Sequence, residues 1–497
     1  MTGTKLCAVL VSAASVLTGC AVGPDYHRPP PPAARSLAPA QVVPHDAAQD
    51  FIRGLDIPGQ WWTLFHCPPL NTMVERALAA NPGLPAARAA LVQAREAVYA
   101  QEGSFLPNVS GFFEPSRNKN ATRSVQPTAA SGNPYYSLIT AQLSVSYAPD
   151  VFGGQRRQVE NLVATAEQQR FQLEATYLSL TANLVTAAIN EASLRAQIEA
   201  TWQIVAAETN LLAILRKQYA LGQVGGMDAL AQEAALGQSR ALLPPLERQL
   251  VQSHNAMAAL EGATPGEASP LAFDLDAITL PRAIPVSIPA ALVDQRPDIR
   301  QSAESLRAAS ALVGVAIANR LPVLNLTASA GSQSNHFVQL FAQGNGFWSL
   351  AASLTQPIFE GGTLLHRERA ARAALAQAEA QYRSTTITAL QNVGDVLAAL
   401  QSDADLLAAA SATEQAASES LRIVNLQVSL GQVSYLGILN AQQTALQAKL
   451  VLVQAKAARL MDTAALFQAM GGGWWHRNDS QVRDLHGNDA LAILGAH

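Results

Sequence analysis

The sequence predicts an α+β fold in which long coiled-coil helices carry a few membrane-type strands, and in which one structural unit occurs twice. Three observations lead to this fold class. The segment 155–220 contains no proline and repeats apolar residues at coiled-coil spacing. Four short segments alternate apolar with polar residues, as strands with two different faces do. Landmarks of the first half of the chain return, in the same order, in the second half.

Residues 1–19 have the layout of a lipoprotein signal peptide. Lys5 precedes an apolar stretch, 6–17, which is too short to span a membrane. The following "LTGC" resembles the bacterial lipobox, in which the cysteine receives a diacylglycerol and becomes the first residue of the mature chain. We therefore expect a covalent N-acyl diacylglycerol lipid on Cys20, and each buried methylene of its chains contributes roughly 0.8 kcal/mol to membrane binding. Ala21, rather than aspartate, is typical of lipoproteins that reach the outer membrane. In the alternative, a plain signal peptide, Cys20 would be an ordinary apolar residue.

The composition excludes several classes of protein. A net charge of -4 and 14% charged residues leave no basic surface for nucleic acid. Cys7 leaves with the signal peptide and Cys20 is expected to carry lipid, so Cys67 is alone and no disulfide is expected. We expect Cys67 to be a packed apolar residue. No metal-ligand spacing is present, so neither a metal nor a cofactor beyond the lipid is expected, and no apolar run after the signal peptide is long enough for a transmembrane helix.

The internal repeat defines the expected domains. Three pairs of landmarks carry it: the LGQV motifs at Leu221 and Leu430 (430 − 221 = 209), the phenylalanines Phe152 and Phe359 (359 − 152 = 207), and the prolines Pro82 and Pro297 (297 − 82 = 215). We therefore expect a leader or linker at 20–60, a first repeat at 61–275, a linker at 276–290, a second repeat at 291–472 and a C-terminal tail at 473–497.

Each repeat is expected to begin with a helix followed by two strands. The four strands are predicted at about 107–116, 137–147, 322–331 and 347–357. The second strand is the clearest, because its apolar face would consist of Ile139, Ala141, Leu143, Val145 and Tyr147. The polar faces are nearly free of charge, which suits a water-filled lumen, although a half-buried sheet of a soluble protein would alternate in the same way. Four strands cannot close a membrane barrel, since about eight are needed, so several chains would have to share one barrel.

After the strands, each repeat should form a long helical hairpin. Apolar residues recur at intervals of four and three in both halves, at Leu173, Tyr177, Leu180 and Leu184 and at Val393, Leu397, Leu400, Ala404 and Leu407. The first such helix could reach about 100 Å at 1.5 Å per residue. Gly222 and Gly431 should end the two ascending helices and permit tight reversals. The two prolines in "LPPLE", residues 243–247, predict a bend or break in the first returning helix.

Six stretches, taken together, resemble the NodT-like branch of the TolC family, the outer-membrane ducts of bacterial tripartite efflux pumps. They are "CAVGPDYHRP" (20–29), "WWTLF" (61–65), "LPPLERQ" (243–249), "QRPDIRQSAESLRAA" (295–309), "QPIFEGG" (356–362) and "GQVSYLGILNAQQ" (431–443). The resemblance extends from Cys20 to Gly472. It implies a homotrimer with four strands per chain, hence a twelve-stranded transmembrane β-barrel continuous with a periplasmic α-helical coiled-coil barrel. The function implied is a passive conduit that exports small molecules such as drugs and toxic compounds through the outer membrane.

The resemblance also implies partners. An inner-membrane transporter of the resistance-nodulation-division type and a periplasmic adaptor (membrane fusion protein) would deliver substrates to the far end of the duct. The expected adaptor contacts are the two helical tips, Leu221, Gly222, Gln223 and Val224 in the first repeat and Leu430, Gly431, Gln432 and Val433 in the second. These residues could instead serve only as turns between helices, and the two roles are compatible.

The expected periplasmic aperture departs from the family pattern. Relatives often carry aspartates after the second tip, whereas this chain has Gly437 and Asn440 there. Tyr435 matches the tyrosine of the family, and Asp228 is kept in the first repeat at the position equivalent to Gly437 (437 − 228 = 209). We expect closure to depend on Tyr435, Asn440 and packing more than on ion pairs, and cation selectivity to be weak. The alternative is that these residues only cap helices.

Other classes of function have less support. An enzyme is not expected, because the sequence has no nucleophile elbow, no glycine-rich phosphate loop and no paired-carboxylate setting. Two alternatives stay open: a coiled-coil envelope lipoprotein without a pore, and the outer-membrane duct of a protein-secretion system, which the same fold would permit.

Overall fold

The computed structural model describes residues 21–30, 49–119, 134–267, 272–286, 289–430 and 432–477. These residues form nine helices, which are α1 (Pro68–Ala80), α2 (Gly83–Glu102), α3 (Gly154–Ala220), α4 (Gly226–Ala241), α5 (Leu243–Leu260), α6 (Pro289–Gln295), α7 (Pro297–Ala318), α8 (Thr363–Ser429) and α9 (Tyr435–Ala469). The strands of the described ranges are β1 (Asp50–Arg53), β2 (Asn108–Lys119), β3 (Tyr135–Tyr147), β4 (Ala283–Val286), β5 (Val323–Ser334) and β6 (Gly346–Thr355). Short 3-10 turns lie at Trp61–Phe65, Gly103–Phe105, Leu275–Ala277, Phe337–Gln339 and Trp474–His476.

The sequence repeat is also a structural repeat. The long helices α3 and α8 have 67 residues each, and their first residues, Gly154 and Thr363, are 363 − 154 = 209 positions apart, as the LGQV motifs are. Each helix is preceded by a glycine in the left-handed conformation, Gly153 (φ 77°) and Gly362 (φ 85°), which lets the chain turn sharply out of the preceding segment.

The two returning helices differ. In the first repeat the return is divided into α4 and α5, because Pro244 and Pro245 have no N–H group to donate to the preceding turn. Leu242 keeps helical angles (φ −74°, ψ −26°), so the chain bends and does not reverse. The predicted break is therefore confirmed. In the second repeat α9 continues for 35 residues without interruption.

Strands of both repeats share one antiparallel sheet in the order β2-β3-β5-β6. The register sets Leu143 of β3 opposite Ala330 of β5, and Ala330 opposite Trp348 of β6. A second, parallel sheet consists of β1 and β4. Its strands lie within the segments 20–60 and 276–290, which the sequence analysis expected to be leader and linker.

The main core lies where the first helices of the chain meet the long ones. Trp61 stacks on Phe467 of α9 with ring centroids 5.4 Å apart. Cys67 is a free thiol buried in this core, and burial raises its pKa, so the expectation of a packed apolar cysteine is confirmed. Most of the predicted coiled-coil positions are buried, namely Leu173, Leu180, Leu184, Val393, Leu397 and Leu400.

Candidate functional site

The register of the four-stranded sheet collects the predicted apolar residues on one face. Residues directly opposite each other in antiparallel strands point to the same side. Four rows across the sheet therefore consist of apolar or small residues. Two rows cross all four strands: Val109, Val145, Ala328 and Leu350 form one, and Gly111, Leu143, Ala330 and Trp348 form the other. The two shorter rows are Tyr147, Leu326 and Ala352, and Leu324 with Leu354. The side chain of Trp348 is 80% exposed. A face this apolar and this open requires an apolar environment or a partner.

The opposite face is polar and aligned in the same way. Ser110, Ser144, Ser329 and Ser349 form one row across all four strands, and the hydroxyls of Ser329 and Ser349 are 2.8 Å apart. Glu114, near the middle of β2, adds a carboxylate to this face, on which Phe112 and Phe347 are the aromatic exceptions. The sheet therefore separates an apolar side from a hydroxyl-lined side that water can wet.

The outer strands of this sheet are paired on one side only within the described residues, β2 with β3 and β6 with β5. Their free edges present backbone N–H and C=O groups in a row. In hydrocarbon each such group would cost several kcal/mol if it had no hydrogen-bond partner. Pairing the edge with another strand would remove this cost.

At the ends far from the sheet, the two long helices α3 and α8 finish with the same turn. Gly222 (φ 72°) is left-handed, and the N–H of Gln223 donates to the carbonyl of Gln218 at 2.9 Å. The N–H of Gln432 donates to the carbonyl of Gln427 at the same distance. Both bonds belong to the Schellman type of helix end, so the predicted stop at Gly222 is confirmed. Gly431 lies outside the described residues.

The two tips pack against each other. Leu211, Leu215, Ala229 and Ile438 are buried together, and Val224, Val424, Val428 and Tyr435 pack against them. We call these eight residues the tip cluster. Of the expected tip and aperture residues, Val224 and Tyr435 are brought together in it. Leu221 and Leu430 stay 64% and 63% exposed at the end of the molecule, and Gln223, Gln432 and Val433 are exposed as well.

The remaining aperture residues lie beside the cluster. Asp228 is in the first turn of α4, where its N–H donates to the carbonyl of Gly225 at 3.2 Å. Asn440 is exposed on α9. A Cβ atom at Gly437 would lie 2.7 Å from Cγ1 of Val433, so glycine lets Val433 pack closely on the start of α9. The side chains nearest to Gly437 are thus those of Val433 and Val424.

Several buried charged residues were missed by the sequence analysis. The Glu191 carboxylate accepts hydrogen bonds from Nε of Arg195 and, at 3.0 Å, from the N–H of Phe273, and Nε2 of His254 lies 3.1 Å away. Extending the coiled-coil spacing by seven residues from Leu184 would have placed Glu191 among the buried positions (184 + 7 = 191).

Two further acidic side chains are buried in the long helices. Burial raises the pKa of Glu208 in α3, against a smaller lowering effect of the Ser239 hydroxyl. Burial and the neighbouring Asp462 carboxyl raise the pKa of Asp403 in α8 to about 7, against the attraction of Arg459. No sequence pattern marked Asp403, because it is adjacent to the coiled-coil positions and not one of them.

Within the described ranges, no cluster of three or more His, Cys, Asp or Glu side chains could hold a metal ion. Nor does any helix in this part of the chain combine the length and apolar character needed to cross a membrane.

Comparison with known proteins identifies the family. The family model described as "Outer membrane efflux protein" matches residues 73–263 and 288–472, more than half of the chain. The toluene efflux pump outer membrane protein TtgC of Pseudomonas putida is 28% identical, over 95% of this chain and 97% of the relative. The cation efflux system protein CusC of Escherichia coli O6:H1 is 26% identical, over 93% and 97%. The Campylobacter jejuni CmeC outer membrane channel has the same fold, with a TM-score of 0.83 at 23% identity, over 94% of this chain and 99% of that one. The chain therefore belongs to the outer membrane efflux protein family, the TolC-type channels of the outer membrane, which are ducts and not enzymes.

Proposed function

We propose that three copies of this chain form the outer-membrane duct of a tripartite pump that exports small toxic molecules. The observation that carries the proposal is the sheet, in which one apolar face, one hydroxyl-lined face and two free edges are combined. Three such sheets, joined edge to edge, would give a closed barrel of twelve strands with the apolar faces toward lipid. Relatives named for toluene and cation efflux support a small-molecule cargo.

The helical part supports the same assembly. Of 67 residues each, α3 buries 26 and α8 buries 10. The surface of α8 is thus available to a neighbouring subunit, and six helical hairpins from three chains would enclose a tunnel about 100 Å long at 1.5 Å per residue. The exposed tips, around Leu221 and Leu430, are the surfaces proposed to meet the periplasmic adaptor, which would link the duct to an inner-membrane resistance-nodulation-division transporter.

The leader supports the proposed lipid anchor. Residues 21–30 run along the junction between strands and helices, where the N–H of Val22 donates to the carbonyl of Phe152 at 3.1 Å. Arg157 of α3 donates to Asp25 at 2.6 Å and to the Val22 carbonyl at 3.1 Å. Cys20 lies outside the described residues, but it directly precedes this fixed segment. A lipid on Cys20 would therefore begin at the level where the proposed barrel leaves the membrane.

The aperture is proposed to close through apolar packing. The tip cluster holds Tyr435 and Val224 together, and the side chains nearest to Gly437 are those of Val433 and Val424. Planar-bilayer conductance with divalent and trivalent cations on the tip side tests this idea. Gly437→Asp should be blocked more strongly than the parent channel, since three copies would add a second ring of carboxylates to that of Asp228. Strong block of the parent channel would contradict the apolar aperture.

The duct itself is tested by assembly and conduction together. The protein extracted in detergent should have the mass of a trimer, conduct ions in a planar bilayer, and restore resistance to organic solvents or toxic cations in cells that lack it. A stable monomer that still conducted ions would overturn the proposal. Cys20→Ala should weaken membrane anchoring more than folding, as fractionation and thermal unfolding would report.

A further inference from the structure

The connection between β5 and β6, residues 335–345, lies over one face of the sheet. Ser332 of β5 is paired with Ala141, which is paired with Phe113, so all three point to the apolar face. The Ser332 hydroxyl hydrogen-bonds the carbonyl of Leu340 and lies 3.0 Å from that of Asn345. Leu340 is only 2% exposed. The connection is therefore folded back onto the apolar side and covers part of it.

This connection has a defined shape. The side-chain amide of Asn345 donates to the carbonyl of Gln339 at 2.6 Å, and the N–H of Gln333 donates to the carbonyl of Asn345 at 3.0 Å. A 3-10 turn at Phe337–Gln339 and a left-handed Gly344 (φ 96°) complete the fold. These hydrogen bonds satisfy backbone polar groups of the connection. What remains to be covered are its exposed apolar side chains.

Three of those side chains, Phe337, Val338 and Phe341, are exposed. The Phe337 ring meets Phe113 edge-on at 6.4 Å, two strands away on the apolar face. Phe341 lines a shallow groove with Leu143 and Ala330. Val338 is 95% exposed and Phe341 is 81% exposed. The segment 335–345 contains no Asp, Glu, Lys or Arg.

We propose that residues 335–345 form a lipid-seated loop, whose Phe337, Val338 and Phe341 side chains insert into the hydrocarbon at the outer rim of the membrane. The inference rests on the proposed orientation of the sheet. Hydrocarbon is the occupant because the loop continues the apolar face without a charged residue, and because Phe341 is level with Leu143 and Ala330, inside the span of the strands. Burying these side chains in lipid would stabilise the seated loop.

The seated loop has a consequence for transport. Since it occupies the apolar side of the sheet, it leaves the row of Ser144, Ser329 and Ser349 on the other side uncovered. The external mouth would thus not be narrowed by this connection, and the loop would fix the depth of each subunit in the outer leaflet.

Spin labels at single cysteines test the loop in full-length protein reconstituted into vesicles of phosphatidylethanolamine and phosphatidylglycerol. The variants are Val338→Cys and Phe341→Cys, with Leu350→Cys on the apolar face and Ser349→Cys on the polar face as matched controls. Power saturation measures collisions with oxygen, which concentrates in hydrocarbon, and with a water-soluble nickel chelate. The labelled parent chain, whose Cys67 is buried, supplies the blank.

We expect the oxygen-to-nickel ratio at positions 338, 341 and 350 to exceed that at position 349 several-fold. If positions 338 and 341 collide with nickel as often as position 349, while position 350 remains in lipid, the lipid-seated loop is wrong and the orientation of the sheet stands. If position 350 also meets nickel, the proposed membrane orientation fails, and the loop proposal fails with it.

Discussion

The two long helices are copies of one unit, yet only one of them is surrounded by its own chain. Helices of both repeats, α2, α5, α7 and α9, pack against α3, whereas α8 packs mainly against α7 and α9. The coiled-coil positions do not explain the difference, because Leu184 and its equivalent Val393 (184 + 209 = 393) are both fully buried. One copy thus forms the centre of the chain, and the other has a surface open to contacts beyond it.

The largest expected effect comes from truncating a central position of α3. Leu184→Ala should lower the free energy of unfolding by about 2–5 kcal/mol, since it removes a fully buried side chain and leaves a cavity. Leu406→Ala, at an exposed position of α8, should change the stability of the chain by less than about 0.5 kcal/mol. Denaturant unfolding of the purified chain in detergent measures both. Equal losses would contradict the difference in burial between Leu184 and Leu406.

The helices α8 and α3 differ at one buried position, where α8 has an ionisable aspartate and α3 has a leucine. Asp403, with a pKa of about 7, occupies the place of the buried Leu194 of α3 (194 + 209 = 403). Because the pKa of Asp403 is higher in the folded chain, the folded chain binds more protons than the unfolded one between the two pKa values, and stability falls as pH rises from about 4 to 7. Asp403→Asn mimics the protonated acid and should gain about 2 kcal/mol over the parent by pH 8.

The pH profile of thermal unfolding measures this gain. The parent and Asp403→Asn should be alike near pH 4, diverge as pH rises to 7, and stay apart above it. Asp405→Asn, an exposed neighbour on the same helix, should follow the parent throughout. A constant difference between the parent and Asp403→Asn at every pH would contradict the titration of Asp403.

At another pair of equivalent positions the acidic residue is in α3 and the apolar one in α8. These are Glu208 and Ala417 (208 + 209 = 417). Burial raises the pKa of Glu208, so its ionisation also costs stability as pH rises. Glu208→Gln should therefore be more stable than the parent at pH 8 and little different near pH 4, as a thermal-unfolding series would detect. Glu199→Gln, exposed on the same helix, is the control. A loss of stability at pH 8 would indicate that the Glu208 carboxylate has a stabilising partner.

The smallest effect concerns the tips, where the repeats are alike. Gly222→Ala forces a side chain into the left-handed region and should cost about 1 kcal/mol. Amide hydrogen exchange at the first tip should then be roughly fivefold faster. Gly237→Ala, inside α4 with equally open surroundings, should instead slow exchange in its helix, because alanine favours the helical conformation. Slower exchange at the tip of Gly222→Ala would contradict the need for glycine there.

The sequence was most informative where one periodic rule decides the structure. Alternation with period two predicted which residues of β3 share the apolar face, since a slip of one residue would turn every side chain over. The bend at Pro244 and the stop at Gly222 follow from backbone rules that need no tertiary context.

Other features depend on contacts between distant parts of the chain. β1 and β4 have four residues each, too few for a pattern, and they pair across more than two hundred residues. The meeting of Val224 with Tyr435 requires both hairpins to run side by side. Asp403 was unpredictable because a charged residue is normally solvated, and only the packing of α8 against α9 buries it.

The parallel pair of β1 and β4 makes the two halves hard to separate. Dividing the polypeptide after Leu260 would leave β1 on one fragment and β4 on the other, so four residue pairs would become contacts between separate molecules. Ile284, which is fully buried in the main core, would be buried only when the second fragment binds the first. Coexpressed fragments would then assemble at a rate set by their concentration. In the intact polypeptide both strands belong to one chain, so their pairing does not depend on concentration.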